Sequence, residues 1–261
     1  MILWCDGAHD PAENMRRDAS LLDAAGAGAD PVLRLFTFAP PGITLGRAQD
    51  PGRELDLARC RAAGVPWAVR PTGGRAIFHA EEWTYSLAAV LGDRRWGGGL
   101  EEAYRAVSRL LVGALRRLGV PAELAPGAAR GSLAPRARSG AAAPCFASTA
   151  RHEIVIAGRK LVGSAQRRTS RALLQQGSVL LGPAHERLAE FLAIPEGERQ
   201  RLRNDLRLVT AHAGPWLESR TALGLWADAL QAELPAETRR LDGDEGLGLL
   251  GSFPAGSGAT G

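Results

Sequence analysis

The stretch Arg70-Pro71-Thr72-Gly73-Gly74-Arg75-Ala76-Ile77-Phe78-His79 joins two apolar runs through a pair of glycines. Trp67 to Arg70 has strand character, Pro71-Thr72-Gly73-Gly74 turns the chain, and an apolar run resumes at Ala76. Paired glycines let a backbone approach a ligand closely and expose its N–H groups, so this turn is a candidate cradle for a carbonyl oxygen or a phosphate. It has the spacing of neither a P-loop nor a GxGxxG fingerprint. On residues alone a plain turn is the competing reading.

Outward from this turn, strands and helices alternate. Asp10-Pro11 followed by Glu13 reads as a capped helix start, and Met15, Ala19 and Leu22 continue at helical spacing. Val32 to Phe38 and Ile43 to Leu45 read as strands, as does Thr84 to Val90 on the other side. Leu100, Tyr104, Val107, Leu111, Ala114 and Leu118 mark an amphipathic helix closed by Gly119. Pro126 to Pro144 is nearly all Ala, Gly, Pro, Ser and Arg, which predicts a flexible loop serving either as a lid before Cys145 or as a surface insertion. Ala157-Gly158-Arg159 is a hairpin turn between Glu153–Ile156 and Lys160–Val162, and Gln176 to Leu181 is a further strand. Residues 184–235 read as mainly helical, and 241–261 as a frayed Gly/Ala/Ser-rich tail. The expected class is α+β (mixed α/β), with one domain over 1–240, a flexible loop at 126–144 and a C-terminal tail at 241–261.

Composition narrows the function. The 261 residues carry a formal charge of +4 and are 45% hydrophobic, enough for a sizeable core and too little charge to argue for nucleic acid. Cys5, Cys60 and Cys145 are odd in number and widely spaced, which speaks against a disulfide framework and against a metal cluster. The first residues lack a basic n-region and no apolar run reaches the ~18 residues of a membrane span, so a cytoplasmic location is expected.

Of 32 Lys and Arg residues, Lys160 is the only lysine. A position that keeps lysine in so arginine-biased a chain suits a site needing a compact ammonium or an amine able to lose its proton, with chance survival as the alternative. Cys145 lies in Pro144-Cys145-Phe146, and a cation folded back across the hairpin would raise its thiolate fraction. Without that contact Cys145 is a buried core thiol. His79 and His152 are the remaining titratable candidates, and spacing alone assigns neither a role.

Arg70-Pro71-Thr72-Gly73-Gly74-Arg75-Ala76 with His79, Thr84-Tyr85-Ser86, Gly158-Arg159-Lys160 with Gly163-Ser164-Ala165-Gln166, and Gln176-Gly177-Ser178 together resemble the lipoate–protein ligase and octanoyltransferase family, related in fold to biotin ligases. Order and spacing agree from about residue 10 to about 235. The resemblance implies a mixed sheet flanked by helices, an apolar tunnel for an acyl chain, Cys145 and Lys160 as the catalytic pair, and Arg70, Gly73, Gly74, Arg75, His79, Gly163, Ser164 and Ala165 around the substrate. One octanoyltransferase branch is similar to the ligases but carries a Cys-Phe pair before the lysine hairpin, the place of Cys145-Phe146. The ligases more often show Arg-Asn-Asp where this chain has Arg151-His152-Glu153, and many have a separate accessory domain not evident here.

The resemblance therefore implies transfer of octanoyl from acyl carrier protein to a lysine of a lipoyl-domain protein through a Cys145 thioester, with no cofactor and no metal. The alternatives are an ATP-dependent lipoate–protein ligase acting through lipoyl-AMP, which would need ATP and Mg, and an amidotransferase between lipoyl proteins. The expected partners are acyl carrier protein as donor and lipoyl-domain proteins as acceptors, without nucleic acid or membrane, around a monomeric enzyme.

Overall fold

In a computed structural model, which describes residues 1–125 and 153–251, the Asp10 carboxylate accepts the Glu13 N–H at 3.0 Å and Pro11 takes the first helical turn. The Glu13 carboxylate does not close a capping box; it pairs with Arg16 and Arg17, at 2.7 and 2.6 Å. In chain order the described residues form β1 (Ile2–His9), α1 (Pro11–Gly26), β2 (Val32–Phe38), β3 (Gly42–Leu45), α2 (Pro51–Glu54), α3 (Leu57–Ala62), β4 (Trp67–Val69), β5 (Ile77–His79) and β6 (Glu82–Val90). There follow α4 (Leu100–Arg117), β7 (Glu123–Leu124), β8 (Ile154–Ile156), β9 (Arg159–Arg168), β10 (Ala172–Leu180), α5 (Leu188–Phe191), α6 (Glu196–Val209), α7 (Gly214–Leu217), α8 (Leu223–Gln231) and β11 (Arg239–Asp242). Mixed sheets flanked by helices are the expected class.

The larger sheet has the order β11-β1-β2-β6-β10-β9-β8-β7; β11, β1 and β2 run parallel, and the other neighbours antiparallel. A smaller sheet, β4-β3-β5, is formed by the strands between β2 and β6. Pleating sends alternate residues to opposite faces of the larger sheet. Toward α4 and α8, Leu33, Leu35, Trp83, Tyr85 and Leu87 meet Leu111, Leu115 and Leu230, and Trp83 stacks on Trp226 with ring centroids 5.3 Å apart. Toward α1, Ile2, Trp4, Val32 and Leu174 meet Leu21, Leu22 and Ala25. Farther along α1, Met15 packs with Phe36, Phe38 and Ala68, tying that helix to the smaller sheet. α4 ends where Gly119 adopts a positive φ of 83°, as its sequence predicts.

Two features depart from the sequence reading. The first residues form a full strand at the heart of the parallel part of the sheet. The segment expected to fray from 241 is ordered as far as Gly251: Arg239–Asp242 pairs in parallel with Ile2–Cys5, and a 3-10 turn over Gly243–Leu250 follows. The physical reason is the edge of β1, whose unpaired backbone groups need a partner. The Trp4 indole donates to the Gly243 carbonyl at 2.8 Å, and its ring packs flat against Gly246, where a Cβ would lie 2.2 Å from the ring. Leu250 joins the same cluster as Trp4, with Leu241 and Leu249 packed against it. Among the described residues no helix is long and apolar enough to cross a membrane.

Candidate active site

β6, β10 and β9 lie side by side, and their register sorts the site. Thr84, Ser178 and Gly163 form one row across the sheet, and Ser86, Gln176 and Ala165 the next but one, both on the α1 face. The row between them, Tyr85, Gly177 and Ser164, faces α4. There the Tyr85 and Ser164 hydroxyls bond at 2.8 Å, Gln175 donates to the Tyr85 oxygen at 3.0 Å, and burial pushes the Tyr85 phenol up to about 12. Gly177 makes room for that pair, since a Cβ would lie 2.5 Å from Ser164 Oγ and 2.6 Å from the Tyr85 ring. Ser164 lines the slot through its backbone position, while its hydroxyl bonds Tyr85 on the far face.

On the α1 face the sheet, α1 and the smaller sheet border a narrow, partly open pocket of about 20 Å³. Met15, Phe38, Ile77, Gly163 and Ala165 line it together with Thr44, Arg70, His79, Thr84, Gln176 and Ser178. The polar members bond to one another. His79 Nδ1 lies 2.5 Å from Glu82 Oε1, which also accepts from the Thr84 hydroxyl at 2.6 Å and the Ser178 hydroxyl at 2.9 Å. A proton on Nδ1 leaves His79 Nε2 to accept from the Thr44 hydroxyl, 2.7 Å away. The imidazole stacks on Phe38 with centroids 4.0 Å apart. Glu82 Oε2 is buried and has no hydrogen-bond partner. The result is a narrow slot with apolar walls backed by a bonded polar layer, a shape suited to an alkyl chain.

The Gly-Gly turn sits at this slot, and Arg70 shapes it. Only 5% exposed, Arg70 donates to the Gly73 carbonyl through Nε and Nη2 at 3.1 and 2.7 Å, to the Arg75 carbonyl at 2.8 Å, and to the Thr44 carbonyl at 3.2 Å. Through these bonds Arg70 holds the loop, and it also lines the slot. Arg75 is half-buried and offers Arg70 its carbonyl. Gly73 and Gly74 are exposed at the surface of the turn, and Gly74 has a φ of 94°. Gly46 is the reason the turn can close: a Cβ there would lie 2.0 Å from the Gly74 carbonyl oxygen.

Behind the slot the network continues into buried charges that sequence reading missed. Thr72 donates to Gln176 Oε1 at 2.6 Å, Gln176 Nε2 to Asp18 at 2.5 Å, and Arg34 bridges Asp18 and Asp6 at 2.7 Å each. Arg17 pairs with the same Asp6. Two signals were available. Asp18 falls on the apolar stripe of α1, between Met15 and Leu22, and Arg34 interrupts the apolar run of β2.

A bulge sets the face of Lys160. Ile154 pairs with Val162, both in the core beneath the sheet, whereas Val155 pairs with Lys160, leaving Leu161 as the extra residue. Paired residues share a face, so Lys160 points away from Val162 and shares the face of Gly163 and Ala165. Its Nζ lies 2.6 Å from Glu153 Oε1, with both side chains 4% exposed. The sequence marks Glu153 as the start of a strand and gives it no site role. Its pairing crosses a hairpin turn and left no sequence signal. Cys145, His152 and the loop 126–144 lie outside the described residues. Among the described residues no three His, Cys, Asp or Glu side chains gather as a metal site.

Known proteins sharpen this picture. The model of the lipoyl protein ligase A/B catalytic domain matches residues 10–208. The octanoyltransferase LipM of Symbiobacterium thermophilum is 39% identical over 196 residues, covering 74% of this chain and 69% of that protein. The LipM of Moorella thermoacetica is 38% identical over 198 residues, covering 75% and 71%. Among solved structures, a bipartite lipoate protein ligase from Thermoplasma acidophilum, studied with its E2 lipoyl domain, superposes with a TM-score of 0.71 at 19% identity, over 95% of this chain and 89% of the other. Lipoate-protein ligase A bound with ATP gives 0.68 at 19% identity, over 95% and 92%. At such identity the two structures speak for the fold, while the sequence relatives and the domain match go further: this chain belongs to the lipoyl protein ligase A/B catalytic domain family.

Proposed function

We propose that the chain is an octanoyltransferase of protein lipoylation, which takes octanoyl from acyl carrier protein onto Cys145 and passes it to a lysine of a lipoyl-domain protein without ATP or metal. The observation that carries this reading is the apolar slot whose wall, Gly163 and Ala165, shares one sheet face with the buried ammonium of Lys160, in a chain whose relatives are octanoyltransferases.

In the proposed reaction the ammonium favours the thiolate of Cys145, which attacks the donor thioester. Lys160 and backbone N–H groups stabilise the developing oxyanion. Thioester exchange is nearly isoenergetic and needs no nucleotide. Attack by the acceptor amine then gives an amide, which makes the sequence downhill. Arg70 and His79 form part of the slot wall, and the turn at Gly73, Gly74 and Arg75 is held by Arg70.

The test is to incubate the enzyme with octanoyl-acyl carrier protein, omit ATP, and seek an octanoyl adduct on the Cys145 peptide by mass spectrometry. Adding an apo lipoyl domain should clear the adduct and octanoylate the domain. An enzyme that forms no adduct and needs free acid with ATP is a ligase, and the proposal fails.

A further inference from the structure

We propose that Glu153 is the proton acceptor for the incoming lysine. The inference rests on the proposed function, because it concerns the step in which an amine attacks the acyl-enzyme. That amine arrives as an ammonium with a reference pKa near 10.4 and must lose a proton before it can attack.

Glu153 is placed for this by the sheet. Continuing the β8–β9 ladder by one residue from Ile154–Val162 sets Glu153 across from Gly163, and Gly163 stands across from Ser178. Period-two alternation then gives Glu153 the same face as Val155 and Lys160. Gly163, across from Glu153, adds no side chain of its own at that position, and with Ser178 it lines the slot. Glu153 is 4% exposed. Its Oε1 holds Lys160, and its Oε2 is buried with no hydrogen-bond partner. An ionised carboxylate oxygen taken out of water without a donor is costly, so this atom is fitted to meet one. Glu82 also has such an oxygen, but its other oxygen binds His79, Thr84 and Ser178 of the slot wall, whereas Glu153 stands beside the only lysine of the chain.

The charges favour the transfer. Before the acceptor enters, Lys160 and Glu153 balance. An incoming ammonium is repelled by the Lys160 ammonium, which lowers its hold on a proton, and is attracted by Glu153, which can take that proton. In the step itself the amine nitrogen forms a bond to the thioester carbonyl carbon and the carbon–sulfur bond breaks. Of the two protons the nitrogen loses, one goes to Glu153 Oε2 and the other leaves on the departing sulfur. Solvent then takes both, restoring carboxylate and thiolate.

The experiment uses enzyme preloaded with octanoyl and freed of donor, then given either an apo lipoyl domain or hydroxylamine, a nucleophile already unprotonated at neutral pH. E153Q keeps a carbonyl oxygen for Lys160 but cannot accept the proton. Its discharge to the lysine should slow about 100-fold or more relative to its discharge to hydroxylamine, the lower range for a lost general base. Its lysine rate should also climb about tenfold per pH unit below the amine's pKa, because only amine deprotonated in solution then reacts. E153D retains a carboxylate and should recover part of the ratio. If both nucleophiles slow together in E153Q, Glu153 is a structural partner of Lys160 and the assignment is overturned, with the octanoyltransferase reading intact. If the wild-type enzyme never loads, that reading fails and the assignment falls with it.

Discussion

Replacing Lys160 with methionine removes a charge while keeping most of the side chain's length. The Glu153 carboxylate, 2.6 Å from Nζ and 4% exposed, would remain behind without its counter-ion. Breaking a buried pair from one side costs about 3–5 kcal/mol, because the surviving charge is uncompensated. Against a total stability of about 5–15 kcal/mol this is a large share. For a chain of this size it corresponds to a fall in Tm of about 6–20 °C. The paired substitution K160M/E153L removes both charges and should restore most of that loss, since an apolar replacement of a buried pair is often close to neutral. Urea unfolding of the wild type, both single variants and the double variant gives the coupling directly, provided the m-values agree. Neither the double variant nor K160M should form acyl-enzyme, so stability and activity separate. A double variant as unstable as K160M would refute the reasoning, because the loss would then stem from packing and not from an orphaned carboxylate.

Gly177→Ala places a methyl group 2.5 Å from Ser164 Oγ and 2.6 Å from the Tyr85 ring; it should lower stability by about 1–3 kcal/mol in thermal melts, and Ser164→Ala should relieve part of that. Met15→Ala opens the slot at the one apolar wall position on α1, with a stability loss of about 2–5 kcal/mol; in competition between acyl carrier proteins bearing octanoyl, decanoyl and dodecanoyl, preference should move to the longer chains. Hydrogen bonds from Arg16, and then from Arg17, hold the Glu13 carboxyl down at about 2 from an ordinary 4.5. A depressed folded-state value means stability is fully present above about pH 4.5 and is lost as pH falls toward 2. Glu13→Gln should therefore flatten the fall of stability with pH in that window, as followed by urea midpoints.

Most strands and helices could be read from periodicity because each buries one face. The helix over Leu100–Arg117 is the plainest case, with its apolar stripe and closing Gly119. β1 was illegible because Ile2–His9 mixes apolar residues with Cys5, Asp6 and Gly7, and Asp6 is buried only because Arg34 and Arg17 come from other elements to meet it. The covering segment after Arg239 is hard to read for another reason: beside Leu250, its contact with Trp4 is made by a glycine and a carbonyl, which no apolar pattern announces. At the site, the Gly-Gly turn and Lys160 stood out by residue type. The direction of Lys160 did not. Strict alternation would have put Lys160, Val162 and Ser164 on one face, and only the extra residue in the β8–β9 ladder turns Lys160 toward the slot.

That bulge explains why the site needs so much polar structure behind an apolar wall. An alkyl slot could be walled by aliphatic side chains alone, yet Thr44, His79, Thr84, Gln176 and Ser178 face it with their polar atoms bonded to one another or to Glu82, Thr72 and Asp18. Aliphatic walls can repack with little penalty, whereas a satisfied buried network tolerates few arrangements. The chain Thr72–Gln176–Asp18–Arg34 fastens the Gly-Gly loop to β10 and α1, and His79–Glu82–Ser178 fastens the smaller sheet to the larger one. The loop and the smaller sheet are thereby referenced to β10, whose other neighbour is β9, the strand that carries Lys160. A displacement of the loop relative to Lys160 must break a buried hydrogen bond at Gln176 or Glu82. The polar layer thus fixes the loop relative to the strand that carries the Lys160 ammonium, and relative placement is the quantity a positioned acyl transfer depends on.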